Sequence, residues 1–305
     1  MEICVFDVGN ASCNFICSPN GYAMMIDCGS SDEKENPVDL INYWKENNED
    51  LFKPQDYVTK TGKSYPLALL HITHPDKDHV RNADRIYKEL TPFQLKRVYS
   101  EKFDDANEID KNYIKDFDKR YRSDSTEEIK WGFEENRVFS IPIETVKSEP
   151  ALKGKVRNNS SIIRYVKYKG IRILFTGDLE TAGWDWLAKN NSSFSNLMKE
   201  GLDILIAPHH GHESGFPDAL FKLTGNVKVI ILSKDSEASK EDSDVYKGYS
   251  SHADGIIYTN ANDDDSYVAK VMTTRSNGNI CMVIDDDGLT IVAEKASSNH
   301  KKVEK

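Results

Sequence analysis

Nine consecutive positions, His71 to His79, hold three histidines and two aspartates. Side chains of this kind cost free energy to bury unless they pair with each other or coordinate a cation. The spacing directs His74 and Asp76 to one side of a short loop and Asp78 and His79 to another, which suits two neighbouring metal ions. Asp76 or Asp78 could instead cap a helix starting at Val80, but a cap accounts for one aspartate and leaves the flanking histidines unexplained. A second group, PHHGH, brings His209, His210 and His212, with Gly211 letting the backbone pass close to a ligand. A third is TGD, where Asp178 is a candidate bridging carboxylate. Each segment alone is a common surface or turn feature; their joint occurrence is what points to a metal site.

These residues need a frame that ends apolar strands at one edge. PLALLHIT (66–73), the run at 171–176 and LDILIA (202–207) are strand-like and stop abruptly at the charged segments. Strands are also expected at 2–8, 12–17, 22–27, 138–144, 160–168 and 227–233. Helices are expected at Val38–Glu46, from about Val80 to Leu90, and at 180–189. TTRSNGNICMVIDDDGLTIVAE reads as a hairpin turning at DDDG. Residues 101–137 mix charges of both signs with aromatic residues and read as a charged helical insertion, a candidate surface for a protein partner. The expected organisation is one α/β sandwich domain over 1–296, with a disordered polar tail at 297–305.

Composition narrows the classes of function. A net charge of −10 argues against a generic basic nucleic-acid-binding surface. No apolar run is long enough to span a bilayer, and MEICVFDVGN lacks the pattern of a secretion signal, so no membrane association and a cytoplasmic location are expected. Five cysteines, none in a CxxC, read as buried free thiols in a reducing compartment.

The order strand–THPDKDH–helix, then ILFTGD, then APHHG resembles the metallo-β-lactamase fold, an αββα sandwich of two mixed sheets flanked by helices. More narrowly, the chain resembles the hydrolase domain of competence DNA-uptake proteins of the ComEC type and their stand-alone relatives. FDVGNASCNFI, MIDCG, NNSSIIRY and TTRSNGNI carry that resemblance further along the chain. It implies a first metal on His74 and Asp76, a second on Asp78 and His79, and Asp178 bridging. A histidine of the 209–210 pair would complete the second site, His209 ahead of His210. Asp27 would orient ligands from behind. Asn158, Asn159 and Ser160 stand where most of the fold carries a histidine, and Asp76 and His212 are further departures. The oxygen-rich first site favours Mn²⁺ over Zn²⁺. His252, with Ser251 beside it, matches a late histidine that contacts the scissile phosphate or protonates the leaving group, and Asp78 would orient the attacking water.

The resemblance therefore implies a metal-dependent hydrolase, with phosphodiester cleavage of a nucleic acid or nucleotide as the leading expectation. A peptide or ester hydrolase acting as a bacterial defence or toxin-system effector is the alternative, and a non-catalytic metal-binding scaffold the third reading.

Overall fold

The computed structural model describes residues 1–47, 52–104, 109–121, 127–234 and 240–304. Among them, a ten-stranded sheet runs in the order Lys301–Lys302, Ser266–Ala269, Ile256–Asn260, Gly288–Ala293, Ile280–Asp285, Glu2–Val5, Asn14–Cys17, Ala23–Ile26, Leu67–His71, Pro92–Lys96. A six-stranded sheet runs Val271–Thr273, Val229–Leu232, Ile204–Ile206, Ile171–Phe175, Ile163–Tyr168, Glu135–Phe139. Strand residues alternate between faces, and here both faces are apolar. Ile3, Val5, Ile16 and Met24 meet Ile173, Phe175, Ile204 and Ile231 of the other sheet in a shared core. Their alternates Cys4, Phe15 and Met25 pack outward on Val38 and Ile41 of the helix Pro37–Asn47. On the second sheet, Tyr165, Leu174 and Ile230 pack outward on Trp184, Phe194 and Leu220 of the helices Thr181–Asn190, Ser192–Met198 and Asp218–Thr224. The fold is an αββα sandwich.

Both sheets are mixed, and their parallel portions matter most for the site. Ala23–Ile26, Leu67–His71 and Pro92–Lys96 run parallel in one sheet. Ile171–Phe175, Ile204–Ile206 and Val229–Leu232 do so in the other. Parallel strands place all their carboxyl ends on one rim, where ligands bind in α/β folds. The residues just past those ends are Asp27, Thr73–His74, Asp178, His209–His210 and Ser233.

Several expectations change. The strand expected at 138–144 is Glu135–Phe139, and a helix occupies Ile143–Ser148, because Pro142 supplies its start. Helical structure after the histidine segment begins at Lys77 rather than Val80. The TTR segment is not part of the C-terminal hairpin: Val271–Thr273 joins the six-stranded sheet and Thr274–Asn277 is helical. Among the described residues the expected helical insertion is helical at Ser100–Lys102 and over Lys111–Asp118, while 105–108 and 122–126 lie outside them. Tyr113 and Phe117 are buried in the outer core, and a buried Arg97–Asp118 ion pair (3.0 Å) ties the segment down.

Residues 297–304 of the tail expected to be disordered are ordered. Tyr258 O–H donates to His300 Nδ1 (2.9 Å), His300 Nε2–H donates to Val271 O (2.9 Å), and Lys301–Lys302 pairs with Tyr267 and Val268. A short lysine strand is a common way to finish a sheet edge. No helix among the described residues is long and apolar enough to cross a membrane.

Gly29 shows how tightly MIDCG is docked on the histidine segment. Cys28 N–H donates to His79 O (2.7 Å) and Ser12 N–H to Asp78 O (3.1 Å). A Cβ at Gly29 would lie 2.2 Å from Asp78 O and 2.8 Å from Ser12 O, both backbone atoms with little room to yield. Gly29→Ala is therefore expected to lose about 1–3 kcal/mol of stability, read from its urea midpoint. An unchanged midpoint would show that this docking is looser than the geometry states.

Candidate metal centre

The segment after Leu67–His71 forms the floor of the site, and His71 itself does not belong to it. Arg164 Nε donates to His71 Nδ1 (2.8 Å), while Nε2–H donates to Ile162 O (3.0 Å). Burial, then the Arg164 charge, hold this imidazole well below its ordinary value, so it is a neutral strut between the sheets. Burial also draws Arg164 down to about 10.

Asp27 contacts His79 from behind. Asp27 is buried and adopts a left-handed backbone (φ 59°). Its Oδ2 accepts from His79 Nδ1–H (2.7 Å) and from Thr73 Oγ1–H (2.8 Å), and its Oδ1 accepts from Thr73 N–H (2.8 Å). Holding the proton on Nδ1 leaves the Nε2 lone pair pointing forward, the arrangement second-sphere carboxylates impose on metal-binding histidines. Asp178 arrives from the other sheet, its N–H donating to Ser161 Oγ (3.1 Å). Its Oδ1 lies 3.1 Å from His79 Nε2, and its Oδ2 lies 3.8 Å from the Nε2 atoms of His74, His209 and His210 alike.

The PHHG turn places two consecutive non-glycine residues, His209 (φ 49°) and His210 (φ 52°), in the left-handed region. Strain of this kind collects at functional sites. It also sends the two rings in different directions. His210 is buried, and its Nδ1–H donates to Ser233 O (3.1 Å), which aims Nε2 at Asp78 Oδ2 (3.3 Å). His209 is half-buried, with Nδ1 shared between Ser214 Oγ (3.0 Å) and Glu180 Oε1 (3.4 Å). Among the described residues, the group whose ligand atoms all lie within 4.8 Å of one another is Asp78, His79, Asp178 and His210. The histidine beside Asp78 is thus His210 rather than His209, a choice made by the turn's backbone and not by spacing.

The electrostatics fit a cation. Burial opposes a charged His79, but Asp178, Asp27 and Asp78 outweigh it and hold the ring well above its ordinary value. Burial likewise opposes charge on Asp178, yet His79, His210 and His74 keep it well below the usual carboxylate range. Asp78 is lowered in the same way by His79 and His210. Buried Nε2 atoms of His74 and His79 make no hydrogen bond. Orphaned buried nitrogens facing ionised carboxylates are the donor set a divalent ion would satisfy. Binding must displace the proton His79 otherwise holds, so affinity rises with pH.

The remaining sequence-expected residues divide. His74 Nε2 lies 3.7 Å from Asp76 Oδ2. Asn158 Nδ2–H donates to Glu180 Oε1 (2.8 Å) at the edge of the cleft. Asn159 and Ser160 instead bond the backbone of their own loop, at Leu152 O and Val156 O. His212 is exposed and caps a short turn through Ser214 N–H. The ring of His252 stacks flat on Phe221 (4.2 Å, 4°) beside Phe216, in the outer helical layer. Ser251 Oγ bonds Gly248 O at the end of that helix.

Over the cluster opens a cleft of about 500 Å³. Its lining includes Asp76, Asp78 and Asp178 of the cluster and the basic residues Lys153, Lys155 and Arg157. Phe103 and Asp104, from the start of the 101–137 segment, border it as well. Lys153 and Lys155 were not among the sequence candidates; only their nearness along the chain to NNSSIIRY would have flagged them.

No family model and no curated protein matches the chain. Among solved structures it is similar to a putative zinc-dependent hydrolase of the metallo-β-lactamase superfamily from Thermotoga maritima, at 11% identity over 82% of this chain and 86% of that one, TM-score 0.36. It is also similar to unliganded yeast PDE1, at 11% identity over 80% and 90% of the two chains, TM-score 0.38. Neither likeness bears on the chemistry. That rests on the cluster itself.

Proposed function

We propose that this protein is a metal-dependent hydrolase of the metallo-β-lactamase, ComEC-like type that cleaves phosphodiesters in a nucleotide or short nucleic acid. The observation that carries the reading is the pairing of a buried His–Asp cluster with a basic cleft wall. Asp78, His79, Asp178 and His210 would hold a divalent ion, and Lys153, Lys155 and Arg157 face the space an anionic substrate would enter. A bound divalent ion supplies Lewis-acid polarisation and an activated water at neutral pH. Asp78, which lines the cleft, would orient the attacking water, while Lys153 and Lys155 would neutralise phosphate charge. With two imidazoles and two carboxylates, the donor set accommodates Mn²⁺ or Zn²⁺. The five thiols suit a reducing, cytoplasmic setting.

The test is metal content of the purified protein, then hydrolysis of a bis-aryl phosphodiester after chelation and add-back of Mn²⁺ or Zn²⁺. Activity is expected to return with metal and to vanish in Asp78→Ala. A Lys153→Gln/Lys155→Gln variant is expected to raise KM about tenfold with little change in kcat, as loss of ground-state phosphate contacts does. Metal binding without phosphodiester cleavage would overturn the substrate class, and a protein that takes up no metal would overturn the hydrolase.

A further inference from the structure

We infer that Arg157 takes the place of one of the two metal ions, so that the chain binds a single divalent ion. The inference rests on the metal-dependent reading above and concerns how that site is filled. The two halves of the cluster are unequal. Asp78, His79, Asp178 and His210 converge as a four-donor set. On the other side stand His74 and Asp76, their nearest ligand atoms 3.7 Å apart, and Asp76 Oδ1 is 2.6 Å from Arg157 Nε.

That ion pair has two consequences. The guanidinium places a fixed positive charge beside Asp76 and occupies the space next to the oxygen that would bind a first metal. A second dication entering there would meet a fixed like charge at close range, in a partly buried site where screening is weak. The loop that carries Arg157 offers no replacement ligand. Asn158 turns to Glu180, and Asn159 and Ser160 bond their own loop. Arg157 also lines the cleft, so its positive charge borders the space a phosphoryl group would enter. One cation is thus built into the chain, and the other is recruited from solution.

The experiment is metal counting on the full chain, by atomic emission after equilibration with excess Mn²⁺ and desalting, together with Mn²⁺ electron paramagnetic resonance. Wild-type protein is expected to hold one Mn²⁺ with the spectrum of an isolated ion. Arg157→Gln, with its fold checked by circular dichroism, is expected to gain a second ion, bound at least about 100-fold more tightly than in wild type, and the signature of a spin-coupled pair. Arg157→Lys keeps a cation and is expected to stay at one.

Two ions in wild type would overturn the inference while leaving the metal-dependent reading intact. One ion in both wild type and Arg157→Gln would also overturn it, because Arg157 would then not be what excludes the second. No ion in wild type would overturn both readings together. Should Arg157→Gln fail to fold, the wild-type count and spectrum decide alone.

Discussion

Replacing Asp178 with asparagine is expected to remove metal binding and with it at least about 10³-fold of the hydrolytic rate, on the order of 4 kcal/mol of transition-state stabilisation. The reason is geometric. Asp178 is the carboxylate that faces four histidines, at 3.1 Å from His79 and 3.8 Å from His74, His209 and His210. It arrives from the six-stranded sheet, whereas Asp78 and His79 come from the loop beside the ten-stranded one. An amide keeps the shape and the Ser161 contact to the backbone but removes the charge that holds the donors together. Metal affinity by titration calorimetry and initial rates with the aryl phosphodiester would be measured side by side. A variant that keeps wild-type affinity would show that the centre is organised without Asp178.

Asp27→Ala is expected to produce the largest loss of stability, about 3–5 kcal/mol, because it strands buried partners rather than removing a surface pair. Thr73 N–H, Thr73 Oγ1–H and His79 Nδ1–H would all lose their acceptor at once. Asp27→Asn retains an acceptor oxygen and is expected to cost less stability, yet to weaken metal binding about 10–100-fold, the usual penalty for disturbing a group that orients a ligand. Chemical denaturation of the metal-free protein and metal titration separate the two effects.

The pH dependence gives an independent check. His79 is held well above its ordinary value, against the cost of burial, by Asp178, Asp27 and Asp78. Its contribution to the metal-free protein is therefore full below about pH 6.5, the unfolded value, and is lost as pH rises through the raised folded value. Asp27→Ala is expected to flatten that neutral-to-alkaline decline. A stability–pH profile parallel to wild type would show that Asp27 does not hold the His79 proton.

Local order along the chain was sufficient for much of this. THPDKDH, TGD and PHH each follow an apolar run, and a run that ends in ionisable residues marks where a buried strand reaches the rim. That is why His74, Asp76, Asp78, His79, Asp178 and the 209–210 pair were legible as one candidate centre, and why apolar residues at successive strand positions implied sheets covered on both faces. The role of Asp27 was legible only through its resemblance to MIDCG segments, since a lone aspartate after a strand carries no signal of its own.

Other features depended on three-dimensional placement. Spacing cannot distinguish His209 from His210, because a left-handed turn, invisible in residue type, decides which ring enters the core. That the ring of His252 stacks on Phe221, 31 positions away, is likewise set by packing. The ion pair of Arg157 with Asp76 joins residues 81 positions apart, and no local pattern encodes it. The sequence determined which chemistry could be assembled at the sheet rim, because periodicity and strand ends are short-range properties. Tertiary structure alone decided which neighbours converge, because that depends on how two separately formed sheets pack face to face.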